Sequence, residues 1–339
     1  MSQNVRIGTR ASALALTQTG HVADAIARLG DVEIETVRVR TDGDRLAGSL
    51  STLGGTGVFV TALRDALLEG RCDVAVHSLK DLPTADPDGL ALAAVPPRED
   101  PRDALCARDG LALAALPAGS TIGTGSPRRA AQLRAARPDL EVVDIRGNVD
   151  TRLGRVAGAR STAAPDPDKP SPRGDLDAVV LARAGLARLG RLDAVTEVFD
   201  VDVMLPAPGQ GALAVEVRGT GIGVDADSPL ADALRALDHR PTRLAVLAER
   251  ALLARLEAGC AAPVGALAEL DDVTGTLTLQ AVVARTDGSQ VLRRSAFVQQ
   301  VGAGDRATDE AAARSLGENL AELLLEAGAA DLAELGAPR

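Results

Sequence analysis

The chain has 339 residues, 46% of them hydrophobic and 25% charged, and a net charge of −10. That length suits two or three globular domains, and the acidic balance, with 1% aromatics and no Trp or Tyr, excludes general nucleic-acid binding by basic faces or base stacking. Three cysteines exclude a secreted disulfide framework, and no export signal or bilayer-length apolar run is present, so the sequence predicts a reduced, cytoplasmic protein.

Residues 5–8 read as a short strand, 11–29 as a helix with apolar spacing at Leu14, Val22, Ile26 and Leu29, and 32–39 as an alternating strand. A Gly/Ser/Thr-rich segment, 41–57, precedes an amphipathic helix over 58–68 that stops at Gly70. The apolar run 73–76 is a strand that leads into Lys80-Asp81 and breaks at Pro83. Strands alternating with helices imply a largely parallel sheet. A second unit looks alike: a strand at 121–123, a helix from Ser126 to just before Pro138, strands at 140–145 and 177–181, and a helix over 182–189. The Pro/Asp/Ser-rich stretch 158–174 reads as a surface insert. Pro-containing segments at 96–101 and 205–209 read as two hinges, by which the chain leaves the first domain and returns for a strand at 212–217. The last third, with helices over 229–237 and 242–257, a strand over 275–283, an Asp287-Gly288 turn and a helix over 308–327, predicts a small α+β domain with an antiparallel sheet.

Lys80 is one of only two lysines, and it sits beside Asp81 at a strand end. Ligands of open α/β sheets bind at such ends. In Ser126-Pro127-Arg128-Arg129, Ser is a helix cap and Pro the first helical residue, so two guanidiniums stand at a helix N-terminus where backbone N–H groups already favour anions. Arg146-Gly147-Asn148 with Arg152, Thr9-Arg10-Ala11-Ser12 and, more distantly, Arg188 repeat the pattern of arginine after a strand. Singly, each reads as a surface arginine. Together in an acidic chain they predict a ligand with several anionic groups, which guanidinium forks match well. Gly54-Gly55-Thr56-Gly57 lacks a P-loop ending and reads as a lid. Cys260, in a turn between Gly259 and Ala261-Ala262-Pro263, is the cysteine available for covalent work, whereas Cys72 and Cys106 lie on strand-like runs and read as buried. His21, His77 and His239 have no metal-ligand spacing.

In their order along nearly the whole chain, these motifs closely resemble the porphobilinogen deaminase (hydroxymethylbilane synthase) family. They are Thr9-Arg10, the Gly-rich loop ending in Val58-Phe59, Val76-His77-Ser78-Leu79-Lys80-Asp81-Leu82-Pro83, Arg98-Glu99-Asp100-Pro101-Arg102-Asp103, Gly123-Thr124-Gly125-Ser126-Pro127-Arg128-Arg129, Arg146-Gly147-Asn148, Gly209-Gln210-Gly211-Ala212 and Glu257-Ala258-Gly259-Cys260. The resemblance implies an α/β fold of two type-2 periplasmic-binding-protein-like domains around a cleft, plus a small α+β C-terminal domain. Domain 1 would span 1–98 and 203–219, domain 2 99–202, and domain 3 220–339.

It further implies a dipyrromethane cofactor bound to Cys260 through a thioether. That primer would receive four porphobilinogen units head to tail with loss of ammonia, before water releases the linear tetrapyrrole. Asp81 matches the catalytic carboxylate. Lys80, Asp44, Ser126, Arg128, Arg129, Arg146 and Asn148 match cofactor contacts. Arg10, Ser12, Thr124, Arg152, Arg188 and Gln210 match substrate contacts, and Gly54, Gly55, Gly57 and Phe59 the lid. No metal is implied. The enzyme would be a monomer with no nucleic-acid or membrane partner, and would hand its product to uroporphyrinogen-III synthase. The chain departs from many members in having Thr52 and Thr56 where the loop carries lysines, and Gly125 where many carry Ser. The rival reading is a non-catalytic two-lobed anion-binding protein, which leaves Cys260 and the third domain without a purpose.

Overall fold

The computed structural model describes residues 3–39, 57–85, 87–158, 174–219, 227–258, 262–301, 304–333 and 335, with 57–59 described by backbone alone. Asp44, Thr52, Gly54, Gly55, Thr56, Cys260 and nearly all of the 158–174 insert lie outside these residues, as do the Gly57 and Phe59 contacts.

The first lobe runs β1 (Gln3–Thr9), α1 (Ala13–Leu29), β2 (Val32–Arg38), α2 (Gly57–Leu68), β3 (Val74–Ser78), a 3-10 turn at Leu79–Asp81 and β4 (Leu90–Ala94). The chain then crosses into a second lobe: β5 (Asp103–Ala107), β6 (Thr121–Gly123), α3 (Pro127–Ala136), β7 (Glu141–Val143), α4 (Val149–Leu153), β8 (Ala178–Ala182), α5 (Arg183–Arg188) and β9 (Glu197–Val198). It returns through β10 (Leu213–Arg218) to the first sheet.

The two sheets share one topology. Their orders are β2-β1-β3-β10-β4 and β7-β6-β8-β5-β9. In each, the strand that arrives from the other lobe is wedged in antiparallel: β10 between β3 and β4, and β5 between β8 and β9. The sheets are therefore mixed rather than uniformly parallel, and both crossovers are tied into sheet hydrogen bonding. This doubled arrangement is the two-lobed α/β architecture expected.

Of the two strands at the first crossover, one carries no sequence signal and the other is the strand-like run at Cys106. Leu90–Ala94 and Asp103–Ala107 are short and rich in alanine, the strongest helix former. Pairing with β10 and with β8 and β9 overrides that propensity. Cys106 lies buried in β5, whereas Cys72 is buried in the turn before β3 rather than in a strand.

The third unit contains α7 (Arg240–Arg255), β11 (Val264–Asp271), β12 (Thr276–Ala284), β13 (Val291–Val298) and α8 (Arg306–Glu326), with the three strands in sequential antiparallel order. Its core is aliphatic, joining Leu244, Ala248 and Leu252 to Leu277, Leu279, Leu316 and Leu320. The preceding helix α6 (Pro229–Leu237), which the sequence reading assigned to the same C-terminal unit, packs elsewhere. Its Leu230, Ala233 and Leu234 enter the first lobe's core with Val22 and Ile26. At the α6–α7 junction, Asp238 Oδ1 accepts from Val95 N at 2.8 Å, and His239 N donates to Val95 O at 2.8 Å, docking the third unit on the first crossover. No described helix is long and apolar enough to cross a membrane.

Candidate active site

β3 ends at the junction of the crossovers. Leu79, fully buried, donates its N–H to Ala212 O at 3.0 Å. The second crossover reaches this turn with backbone against backbone. Gly209 has φ +74, and a Cβ there would lie 2.4 Å from Leu79 Cδ2 and 3.3 Å from Lys80 N. Gly211 has φ +88, and its Cβ would lie 2.5 Å from Glu99 O. Only glycine accepts both the left-handed backbone and the approach.

Gln210, between them, is fully buried and joins the lobes. Its Oε1 accepts from Lys80 Nζ at 3.3 Å and from Arg129 Nη2 at 3.4 Å. Its Nε2 donates to Pro101 O at 2.7 Å and to Asp103 Oδ1 at 2.8 Å. Asp103 is the counter-ion of the cluster: Oδ2 accepts from Arg128 Nη1 at 2.7 Å, and Oδ1 accepts from Arg129 Nε at 3.0 Å. Burial alone would raise the Asp103 pKa. The two guanidinium charges and the bonds from Arg128 and Gln210 more than reverse it, holding this carboxyl far below the usual range. Asp103 thus explains how two arginines are tolerated at the N-terminus of α3, the wrong end for a cation.

Around this cluster, a cleft cavity of about 120 Å³ lies between the lobes, lined by Gln18, Ser78, Lys80, Arg129, Arg152 and Arg188 among others. Burial pushes the Lys80 ammonium down to about 8, against the opposing pull of Asp81 and with Arg129 lowering it further. Burial also lowers Arg152, helped by Arg129 and Arg146, and lowers Arg188. Partly desolvated cations that repel one another are stabilised by incoming carboxylates.

Several site residues predicted from sequence also build the frame. Ser12, Ser126 and Asn148 cap α1, α3 and α4, accepting from Ala15 N at 3.3 Å, Arg129 N at 3.4 Å and Thr151 N at 2.9 Å. Thr124 is buried, and its Oγ1 accepts from Ser126 N at 3.3 Å. Arg152 Nε donates to Gly147 O at 2.8 Å and Arg188 Nη2 to Gly211 O at 2.6 Å, which aims both side chains. Arg146 pairs with Asp144 at 3.1 Å in a half-exposed position, and Arg10 directly follows β1. Arg128 is withdrawn from the cavity lining. Its Nη1 also donates to Leu205 O at 2.5 Å, while its buried Nε has no partner among the described residues. Asp81 ends the 3-10 turn beside Lys80.

Sequence reasoning missed three residues at this junction. Asp103 is one; in the sequence it figures only within the Arg98–Asp103 motif, with no role. The others are Arg98 and Glu249. Arg98 Nη1 donates to Glu249 Oε1 at 2.6 Å and Arg98 Nε to Gln210 O at 2.7 Å. Glu249, fully buried on α7, also accepts from Gly209 N at 2.6 Å and Ala268 N at 2.9 Å. One carboxylate therefore ties both crossovers to the third unit.

Comparison with known proteins gives one family. Residues 5–222 match the model described as porphobilinogen deaminase, dipyromethane cofactor binding domain, and residues 243–326 match porphobilinogen deaminase, C-terminal domain. The chain is 57% identical to the porphobilinogen deaminase of Leifsonia xyli subsp. xyli over 98% of this chain and 94% of the relative. It is 55% identical to that of Cutibacterium acnes over 98% of each chain, and 55% identical to that of Thermobifida fusca over 96% and 94%. Among solved structures, immunogenic lipoprotein A from Vibrio vulnificus is similar at a TM-score of 0.39 and 12% identity, over 68% of this chain and 94% of that one.

Proposed function

The chain belongs to the porphobilinogen deaminase family, and on that premise we propose that it is a transferase that condenses four porphobilinogen units head to tail with loss of ammonia. The observation that carries the reading is the junction itself. The Lys80-Asp81 turn of one lobe is bonded through Gln210 to the Arg128–Asp103–Arg129 cluster of the other, beside a cleft lined by four cations.

A dipyrromethane carries acetate and propionate groups, and the donor set fits it: Lys80, Arg129, Arg152 and Arg188 line the cavity. Lys80, Arg128, Arg129, Arg146, Ser126 and Asn148 would hold the cofactor, with Asp44 and the thiol of Cys260 from outside the described residues. When bound, it would supply the free pyrrole carbon that the first unit joins, each later unit joining the ring added before it. Arg10, Ser12, Thr124, Arg152, Arg188 and Gln210 hold the incoming unit. Loss of ammonia leaves positive charge on the substrate pyrrole, and Asp81 stabilises that charge in the closed cleft. Asp81 then takes part in moving the proton released on rearomatisation. The lid proposed from the sequence comprises Gly54 and Gly55, outside the described residues, and Gly57 and Phe59, whose backbone lies in the first turn of α2.

The proposed domains are 1–98 with 203–219, 99–202, and 220–339, with α6 of the last packed into the core of the first. The protein acts as a cytoplasmic monomer and passes its product to uroporphyrinogen-III synthase. The test is turnover of porphobilinogen together with intact mass. The wild-type chain should release ammonia and a linear tetrapyrrole and should carry two extra pyrrole units that Cys260→Ser lacks. Freshly expressed protein without the adduct and without turnover overturns the reading.

A further inference from the structure

Beyond the residues that surround the cleft, one side chain of the third unit grips the turn that carries Asp81. Arg250, on α7, donates from Nη1 to Leu82 O at 3.3 Å and from Nη2 to Pro83 O at 2.6 Å. These are the two carbonyls that follow Asp81 in the chain. We propose that Arg250 is a positioning residue for Asp81, coupling the third unit to the carboxylate that handles the reacting pyrrole. The proposal rests on the function given above for Asp81.

The turn is a single 3-10 turn, Leu79–Asp81, closed by Leu82 N donating to Leu79 O at 3.1 Å. Its first half is fixed by the second crossover, through Leu79 N to Ala212 O and Lys80 Nζ to Gln210. Its exit is fixed differently. The Leu82 side chain is buried with Val60, Val95 and Val246, but Pro83 is exposed. Beyond it, a cavity of about 340 Å³ separates Thr84 from α7 and α8, with Arg250 in its wall. Apolar packing is thin there, so the direction in which the chain leaves Asp81 depends on a guanidinium fork holding successive carbonyls. Arg suits this task better than Lys, because its planar fork presents two donors in fixed geometry.

The position of Arg250 adds a consequence. The preceding residue, Glu249, holds Arg98 of the first crossover and Gly209 of the second. The same helix leads, within ten residues, to Cys260. Through these contacts one helix, α7, holds both crossovers by Glu249 and the Asp81 turn by Arg250.

The test measures steady-state turnover, intact mass and thermal stability of the cofactor-loaded enzyme in Arg250→Met, Arg250→Lys and Arg255→Met. Arg255 lines the same cavity but bonds Glu322 and not the turn. Displacing a catalytic group by about 1 Å costs about a hundredfold in rate. Arg250→Met should lose about ten- to a hundredfold in kcat with KM and pyrrole loading near wild type, Arg250→Lys should recover part of the loss, and Arg255→Met should keep wild-type kcat. A wild-type kcat in Arg250→Met, or equal kcat losses in Arg250→Met and Arg255→Met, overturns the proposal. If the wild-type enzyme carries no pyrrole adduct and does not turn over, it is the function above that fails.

Discussion

The two lobes have the same sheet order and the same kind of strand-to-helix turn, yet they bring opposite chemistry to the cleft. In the first lobe β1 leads to a helix capped by Ser12, and in the second β6 leads to one capped by Ser126. The third strand of the first sheet, β3, ends in Lys80-Asp81, whereas its counterpart in the second sheet, β8, ends in α5 with Arg188. The scaffold fixes where side chains meet; the residues at equivalent strand ends decide what happens there. In the proposed function the first lobe supplies the reactive carboxylate, Asp81. The second would supply most of the grip on anions, and Asp103, its one buried carboxylate among the described residues, keeps its arginine pair in place.

The sharpest way to break this division is at Asp81. Asp81→Asn keeps the shape of the side chain and removes its charge, so turnover should fall by about 10²- to 10⁴-fold, the usual worth of such a group, with thermal stability little changed. Turnover near wild type would remove Asp81 from the chemistry.

Asp103→Ala should act through structure. It leaves two buried guanidiniums uncompensated, and breaking such a cluster costs about 3–5 kcal/mol. The expected result is a large drop in melting temperature; an unchanged one would show that the pairing contributes no stability.

The first lobe has its own buried ion cluster, away from the cleft. Glu216 on β10 accepts from Arg64 Nη2 at 2.7 Å and lies 3.1 Å from His77 Nε2. Burial would raise its pKa, but His77 and Arg64 override that and hold it at about 2. A depressed carboxyl stabilises the fold above its unfolded pKa and loses that contribution as pH falls through the folded value. Stability should therefore decline between about pH 4.5 and pH 2, by on the order of 3 kcal/mol from this group. Denaturant titration should show a shallower pH dependence in Glu216→Gln, and an identical slope would exclude Glu216 as its source.

The smallest effect is expected at Lys80. Its ammonium, pushed down to about 8, loses its charge as pH rises through that value. That value belongs to the cofactor-free chain, so uptake of the cofactor by the apoprotein should weaken above about pH 8 in the wild type, and that limb should be absent in Lys80→Met. Persistence of the limb in the variant would assign it to another group.

Much of the frame was legible in the sequence, because its signals are local. Ser126-Pro127 wrote the start of a helix, the Pro- and Gly-containing segment 205–209 marked the return crossover, and the recurrence of arginine after strands pointed to an anionic ligand. What stayed hidden depends on contacts distant in the chain. Leu90–Ala94 looks like a helix former and becomes a strand only by pairing. Nothing near Asp103 shows that Gln210, more than a hundred residues away, bonds it. Likewise α6 reads as part of the C-terminal unit but buries its apolar stripe against α1, a choice set by the complementary face rather than by its own sequence.

The division between the lobes is tested most directly by following intact mass after adding porphobilinogen to wild type, Asp81→Asn and Arg152→Leu. Asp81→Asn should stay at its starting mass, blocked in extension, while Arg152→Leu should still gain pyrrole units but need more substrate to do so. Extension of Asp81→Asn at the wild-type rate, or a complete chemical block in Arg152→Leu that no substrate concentration relieves, would contradict the account.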